Sequence, residues 1–366
     1  NVEIADDGYP TDPALHKQLR QLSPQPVVAK VQCHPSVDLH VRAMVQRYLD
    51  EGLPLTGRDM AGFNLAGLDL NGLDLRGALF EHADLSGCNF AGSCLEKAVF
   101  NSANLNDADF SNCNLSEANF SCARGTGVRF TGCLLSSTML IDSRFVHCDF
   151  SQCRFMEVVA LRMTAKGCNF SNTHMEKGNL IQANLASSTW KNATISQSIF
   201  IEAILAFGCF AQAKLSRCAL IKVNANLADF TDTRLDRVQT GGAAQFIGAK
   251  FGLAEANQCG FRDVNLKGAD FSTSHMTECD FGFSNLSHTH WGKSNLFRSI
   301  LANCDLSYSN CRETNFLEVN ARKTTAIDTD FQDAEFLQSD WQYSRWQACD
   351  YTGARNLKPV CLEILQ

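Results

Sequence analysis

The stretch that decides the fold runs from residue 98 to residue 122 and reads AVFNSANLNDADFSNCNLSEANFSC. A large apolar residue occupies every fifth position of it, at Phe100, Leu105, Phe110, Leu115 and Phe120. A period of five fits neither the 3.6-residue period of an α-helix nor the two-residue period of a flat strand. We therefore predict a chain that turns at a fixed interval, with one large and one small side chain of each five residues pointing inward.

The same phase extends from Met60 to position 240, resumes with one residue inserted after Gly241-Gly242, and continues to Tyr351. In the first of these runs, smaller residues replace the large one at Gly125, Ala160, Ala165, Ala225 and Thr240. A small residue usually stands two positions before each centre, and Asn or Asp is common one position before it, where its side chain can bond nearby backbone in a turn. Because one coil cannot bury its own core, we expect the coils to stack.

Proline placement gives an independent check on this interpretation. All seven prolines lie at or outside the ends of the array, at Pro10, Pro13, Pro24, Pro26, Pro35, Pro54 and Pro359. Ladders between coils need backbone N–H groups, which proline lacks. Two glycine pairs interrupt the pattern, and we expect Gly125 to Gly127 and Gly241-Gly242 to form local bulges or small loops.

The repeat resembles the A(D/N)LXX consensus of pentapeptide-repeat proteins, which matches Ala83 to Gly87, Ala103 to Asp107 and, with Phe120 at the centre, Ala118 to Cys122. The resemblance covers residues 55–354. It implies an all-β solenoid, a right-handed quadrilateral β-helix with four pentads per coil. The number of centres then gives about 15 coils, each separated from the next by the ~4.8 Å spacing of neighbouring strands.

The ends lie outside the repeat. Residues 1–35 are polar and proline-punctuated, and we interpret them as an extended linker or strap. Residues 36–52 are expected to form a helix, with Ser36 as its cap and Gly52 at its end, that covers the open first coil. Residues 355–366 are interpreted as a C-terminal cap or a dimer contact.

Composition argues against several classes of function. The net charge of −7 comes from 32 Lys and Arg against 39 Asp and Glu spread along the chain, so no basic face for nucleic acid is expected. The sequence shows neither a membrane-length apolar run nor a signal peptide, and we expect a cytoplasmic bacterial protein. Of the 17 cysteines, eleven fall two positions before a centre and are interpreted as buried small residues: Cys88, Cys113, Cys133, Cys148, Cys153, Cys168, Cys218, Cys259, Cys279, Cys304 and Cys349.

Chemistry-bearing motifs do not stand out. Of the nine histidines only His288 and His290 are close, and no third metal ligand is near them in sequence. The nucleotide-binding and hydrolase motifs do not occur. A filled solenoid interior offers no cleft for catalysis, so we predict no enzyme, no cofactor and no metal.

Outward positions twenty residues apart should stack, and two apolar columns emerge from this arithmetic. The first, the isoleucine ladder, comprises Ile141, Leu161, Ile181, Ile201 and Ile221; the second ladder comprises Phe297, Leu317 and Leu337. Contiguous apolar patches usually mark contacts. We predict that the isoleucine ladder binds a partner protein or a second copy of the chain; the alternative is that residues 1–31 fold back over it.

We therefore predict an interaction scaffold. The passage from Val41 to Ala78, a helix followed by a glycine-rich run, resembles the start of pentapeptide arrays on accessory proteins of bacterial type VI secretion systems, which implies effector or secretion-system partners. A second hypothesis comes from other members of the family, which are similar to quinolone-resistance proteins, mimic DNA and bind DNA gyrase and topoisomerase IV. The diffuse charge of this chain, with basic residues such as Arg298 in its second half, argues against that mimicry. A third is an effector scaffold that a specialised system secretes.

Overall fold

The computed structural model describes residues 12–27 and 35–357, and it divides into two compact units, Asn1–Leu180 and Ile181–Gln366. Helices α1 (Pro13–Leu22) and α2 (Pro35–Asp50) precede the repeats. From residue 59 onward the chain forms short parallel strands and bridges whose register advances by 20 residues, so four pentads make one coil. The predicted all-β solenoid with a short N-terminal helix is confirmed.

Strands of unit 1 form two sheets. Pairing joins β1 to β3 and links β2, β4 and β5 in that order. Their bounds are β1 (Arg124–Thr126), β2 (Leu134–Ser136), β3 (Arg144–Val146), β4 (Arg154–Met156) and β5 (His174–Glu176).

Strands of unit 2 form four sets of parallel neighbours. These are β6-β7-β9-β12-β15, β8-β10-β13, β11-β14 and β16-β17. Their bounds are β6 (Thr194–Ser196), β7 (Lys214–Ser216), β8 (Ala219–Ile221), β9 (Arg234–Asp236), β10 (Gln239–Gly241), β11 (Ala244–Gln245), β12 (Glu255–Asn257), β13 (Gly260–Phe261), β14 (Val264–Asn265), β15 (His275–Thr277), β16 (Thr325–Ile327) and β17 (Arg345–Gln347).

Backbone hydrogen bonding explains the consensus. Within a typical pentad the N–H before the centre donates to the preceding coil, and the N–H groups of the centre and of the second residue after it donate to the following coil. The N–H directly after the centre lacks such a partner. In the pentad of Phe110, the Ser111 N–H donates to Oδ1 of Asp109 at 2.9 Å. Asn and Asp are therefore common before the centre because their side chains accept a hydrogen bond from the N–H directly after the centre, which the ladders do not use.

Where the residue two positions before the centre is a buried Cys, Ser or Thr instead of Ala, its side chain can form an interior hydrogen bond. The Cys113 thiol donates to the carbonyl of Phe90 at 2.9 Å, and the Ser93 hydroxyl donates to that of Leu70 at 2.7 Å. Both reach the carbonyl of a centre on the preceding coil. Cys, Ser and Thr thus fit this position because each supplies a small buried donor.

Aromatic rings fill the interior. Phe100 and Phe120, one coil apart, stack with centroids 4.5 Å apart, while Phe100 and Phe110 meet edge to face at 5.4 Å. In unit 2, Phe271 and Trp291 stack at 4.1 Å. The fully buried rings make a close-packed core.

The two glycine interruptions behave differently. The expected bulge at Gly125 to Gly127 is wrong: Gly125 pairs with Phe145 at the ordinary step of 20, and a Cβ on Gly125 would lie 2.4 Å from Cγ2 of Val128. Val128 therefore fills the space that a large centre would take. At Gly241-Gly242 the step grows to 21, as the bridge from Asn224 to Gln245 shows, and Gly241 adopts a φ of 155°.

Helix α2 covers the first coil. Its Val41 and Val45 are buried, Asp38 accepts the N–H of Asn64 at 3.1 Å, and Arg42 donates to the carbonyl of Ala66 at 2.6 Å. These bonds satisfy backbone groups that have no preceding coil to pair with. The proposed C-terminal cap lies mostly outside the described residues, as do residues 1–11 and 28–34.

The interpretation of residues 1–35 as extended is wrong for Pro13–Leu22, which forms helix α1. Asp12 caps it by accepting the N–H of Ala14 at 2.9 Å, and Pro13 fits the first turn. The described residues of this segment contact unit 1 through Arg20, Ser23 and Pro24, and we keep the name strap for them.

Candidate protein-interaction surfaces

Within the described part of the chain, side chains leave no open chamber in the interior of the array. Large apolar centres and small donors fill it along the array. Within the described ranges, no group of three or more His, Cys, Asp or Glu residues is arranged to hold a metal ion. The helices of those ranges are all too short or too polar to cross a membrane.

The isoleucine ladder is present in each unit as stacked, half-buried side chains. In unit 1, the carbonyl of Ile141 accepts the N–H of Cys122 and that of Leu161 accepts the N–H of Asp142, both at 2.9 Å, so the two residues follow one another on successive coils.

In unit 2, Ile181, Ile201 and Ile221 stack likewise. The carbonyl of Ile201 accepts the N–H of Gln182 at 2.8 Å, and that of Ile221 accepts the N–H of Glu202 at 2.9 Å. All three side chains are half-buried.

The second ladder also stacks on successive coils of unit 2. Phe297 and Leu317 are half-buried, while Leu337 is 46% exposed. The guanidinium of Arg298 lies 4.7 Å from the centre of the Phe297 ring. This ladder is therefore partly covered by a neighbouring cation.

Sequence reasoning missed a wider apolar surface around the unit-2 ladder. Phe207 and Leu227 are more than half exposed, and Ile204 and Ile247 are exposed beside them. Glu202 and Phe207 have φ near 60° and mark two corners of one coil; Ile204 points outward from the flat side between them. We define the unit-2 apolar face as the following residues: Ile181, Ile201, Ile204, Phe207, Ile221, Leu227 and Ile247.

A signal for these residues exists in the sequence. Ile204 stands directly before a centre, and Phe207 and Leu227 stand two positions after one, where most pentads carry polar residues or glycine. The ladder prediction considered only the residue directly after each centre and therefore missed Ile204, Phe207 and Leu227. Gly248 contributes as well, because a Cβ there would lie 2.8 Å from Cδ2 of Leu227. The missing side chain lets Leu227 lie across the next coil.

Helix α1 is fastened to unit 1 by buried charge. Arg20 is 4% exposed and pairs with the fully buried Glu81, and its Nη1 lies 2.6 Å from Oδ2 of Asp59. Burial raises the pKa of Glu81. Burial opposes ionisation of Arg20 too, but the hydrogen bonds to Asp59 and Glu81 prevail and raise its pKa.

The C-terminal end of α1 is held by Asn119. Its side-chain amide donates to the carbonyl of Ser23 at 2.7 Å and to that of Gln21 at 3.2 Å. The thiol of Cys122 lies 3.6 Å from the carbonyl of Pro24. The strap therefore covers Glu81, Asn119 and Cys122 in unit 1. Glu81 lies in the same outward column as Ile141, and Asn119 and Cys122 lie beside that column.

Exposed charges elsewhere pair across neighbouring coils. Arg162 holds Asp142 through two bonds of 2.7 and 2.6 Å, and this hydrogen bonding lowers the pKa of Asp142. Lys177 and Glu157 pair at 3.0 Å. Several exposed charges of this surface are thus paired with an opposite charge twenty residues away.

Comparison with known families and structures identifies similar proteins. A family model described as a pentapeptide repeat region matches residues 68–140. A second, described as pentapeptide repeats in eight copies, matches residues 126–156, 179–217, 257–290, 274–307 and 299–336. Together the two models match more than half of the chain. The search against curated proteins gave no match.

Several solved structures resemble the chain at low identity. A pentapeptide repeat protein of the Arabidopsis thaliana thylakoid lumen is 24% identical over 26% of this chain and 66% of its own, just under two thirds of its length, with a TM-score of 0.25. HetL of the cyanobacterium Nostoc, involved in regulating heterocyst differentiation, is 20% identical over 85% of this chain and 95% of its own, with a TM-score of 0.18. QnrB1, a plasmid-mediated fluoroquinolone resistance protein, is 21% identical over 58% and 88%, with a TM-score of 0.23.

Proposed function

The chain belongs to the pentapeptide-repeat family, and from this premise we propose that it is a non-catalytic scaffold that binds other proteins through its outer surface. The observation that carries the proposal is the unit-2 apolar face. It brings half-buried isoleucines together with Phe207, 62% exposed, and Leu227, 54% exposed. Exposed apolar side chains that gather on one side of a protein often mark a recognition surface.

The corner residues suit such a role. Phe207 offers a large ring at a corner whose backbone is tied into the ladders, since its N–H donates to the carbonyl of Asn226 at 3.0 Å. Aromatic side chains on rigid backbone are common anchors of interfaces because they bury much area at little entropic cost. Ile141 and Leu161 in unit 1, and Phe297, Leu317 and Leu337 in unit 2, are proposed as additional contact residues.

A setting follows from the sequence resemblance of Val41 to Ala78. We propose that the partners are effector or secretion-tube proteins of a bacterial type VI secretion system and that binding takes place in the cytoplasm. A second copy of the chain is the alternative occupant of the apolar face.

The test compares wild-type protein with an Ile201→Asp/Phe207→Asp variant in a pull-down from the bacterium that makes the protein, with mass spectrometry of the captured proteins. The matched control, Asn192→Asp/Gln197→Glu, adds the same two charges at exposed positions away from the apolar face. Far-UV circular dichroism first establishes that both variants are folded. We expect secretion proteins to be captured by wild type and control but lost by about tenfold or more with the Asp variant.

Capture that the Asp variant retains would refute the apolar face as the docking surface. Topoisomerase subunits captured in place of secretion proteins would overturn the proposed setting in favour of DNA mimicry. Dimerisation abolished by the Asp variant, measured by light scattering, would assign the face to a second copy of the chain.

A further inference from the structure

Two arginines in unit 1 lie side by side on adjacent coils and, among the described residues, without a carboxylate partner. Arg124 and Arg144 lie in register on β1 and β3, directly above one another on adjacent coils. Both are exposed, and in the described part of the chain neither forms an ion pair with a carboxylate. Like charges placed opposite one another on neighbouring strands destabilise a sheet. The pair therefore lacks the counter-charge that neighbouring positions of the same unit possess.

A hollow surrounds the pair. Arg124, Arg144, Thr126 and Thr164 line a groove of about 440 Å³ that also contains Asp142. The Asp142 carboxylate is occupied by the two bonds from Arg162, so it does not neutralise either arginine. The groove thus presents two guanidinium groups and two hydroxyls.

A second hollow extends the first along the stack of coils. It measures about 540 Å³, shares Asn106 and Arg124 with the first, and reaches back to Ser102 and Asn104. Arg124 accordingly lies where the two hollows meet. Together they form an open trough on one side of unit 1 that extends from Arg124 along the coils in both directions.

We propose that this trough binds an acidic peptide segment of a partner protein, with Arg124 and Arg144 each engaging a carboxylate. The guanidinium fork matches a carboxylate with two parallel hydrogen bonds, and arginine is the residue best suited to such contacts. The two arginines sit one strand spacing apart, ~4.8 Å, and side chains on one face of an extended peptide recur every ~7 Å, so flexible arginines reach successive carboxylates.

Charge decides between an acidic peptide and a nucleic acid. The chain carries a net charge of −7, which repels a long polyanion beyond the immediate contact. Nucleic-acid sites also need a continuous basic stripe, whereas Asp142 and Asn106 flank this pair. A short acidic segment needs only the two local cations.

The test titrates a fluorescein-labelled octaglutamate peptide into the full chain and measures fluorescence anisotropy, with octaglutamine as the uncharged probe. Arg124→Gln/Arg144→Gln removes the pair; the matched control, Arg129→Gln/Lys177→Gln, removes two ion-paired cations of the same unit. We expect octaglutamate to bind wild type and control alike, and the first variant about tenfold or more weakly, with the difference shrinking at high salt.

Equal weakening in both variants would refute a built site, because it would indicate non-specific attraction. Octaglutamate bound no more tightly than octaglutamine would overturn the proposal, as would an oligothymidylate probe that binds the trough more tightly than octaglutamate. The inference rests on the proposed scaffold function, but the two proposals can fail separately. The pull-down with the Ile201→Asp/Phe207→Asp variant tests whether partner proteins bind the apolar face. The octaglutamate titration tests whether the trough binds an acidic peptide.

Discussion

At the scale of single residues, the pentad assigns each position one physical task. The centre supplies core volume, an Asn or Asp before it caps an N–H, and a Cys, Ser or Thr two positions before it can donate inward to a carbonyl. The cysteines make this plain, since a buried thiol does the same work as the hydroxyl of Ser93. Their abundance therefore reflects packing and hydrogen bonding, and the described cysteines are all free thiols.

Burial also determines how these thiols react. It raises the pKa of Cys88 and Cys218 to about 11 and that of Cys304 to about 12. Because the thiolate is the nucleophile, we expect iodoacetamide at about pH 8 to alkylate the outward Cys94 and Cys209 of the native protein and to spare those three. Peptide mass spectrometry before and after unfolding measures the difference. Native alkylation of Cys88 as fast as that of Cys94 would contradict the buried assignment.

At the scale of elements, helix α1 shows how one buried ion pair can place a segment. Arg20 reaches Glu81 across 61 residues of sequence, and α1 has no other fully buried side chain. A buried pair is weak evidence for net stability, but removing one partner leaves an uncompensated charge. Hydrogen bonds and ion pairs therefore position the strap more than the packing of an apolar helix face does.

We expect Arg20→Met to lift the strap from unit 1, because Glu81 would otherwise remain buried and unpaired at a cost of roughly 3 kcal/mol. The readout is alkylation of Cys122, whose thiol lies under the strap. Gln18→Met, an exposed change on the same helix, is the control and should leave the rate unchanged.

The double variant Arg20→Met/Glu81→Leu should restore much of the protection, since an apolar pair can replace a buried ion pair. Unchanged Cys122 alkylation in Arg20→Met would show that other contacts hold the strap.

At the scale of the whole molecule, the repeated hydrogen-bond pattern predicts where the array tolerates proline. The Ala213 N–H donates to the carbonyl of Phe210 at 2.9 Å, whereas no backbone bond of the described chain uses the Ala211 N–H. Ala211 also precedes Gln212, whose φ of 62° marks a turn that accepts proline at the residue before it.

Ala213→Pro should therefore destabilise the array by roughly 3 kcal/mol or more, while Ala211→Pro should change stability by less than about 1 kcal/mol. Urea unfolding followed by far-UV circular dichroism compares the two variants. Equal losses would mean that the Ala213 N–H bond to Phe210 contributes no more to stability than the unbonded Ala211 N–H.

The candidate interaction surfaces could be predicted from the sequence only in part. The isoleucine column follows from counting by twenty, but Phe207 and Leu227 became visible as its neighbours only once the corners were located by their positive φ. The Arg124–Arg144 pair is also twenty residues apart in sequence, yet its lack of a counter-charge depends on Asp142 pairing with Arg162 instead. Which of several nearby charges form an ion pair depends on the geometry of their side chains.

The amino-acid sequence by itself determined the solenoid, its core positions, the covering helix and the exclusion of proline from the array. It could do so because a five-residue period is local, and each pentad repeats the same requirements for volume and hydrogen bonding. Only the tertiary structure decided that Val128 replaces a large centre at Gly125, that Arg20 meets Glu81, and which exposed residues share a face. Those outcomes depend on contacts between distant residues, whose energies no local pattern contains.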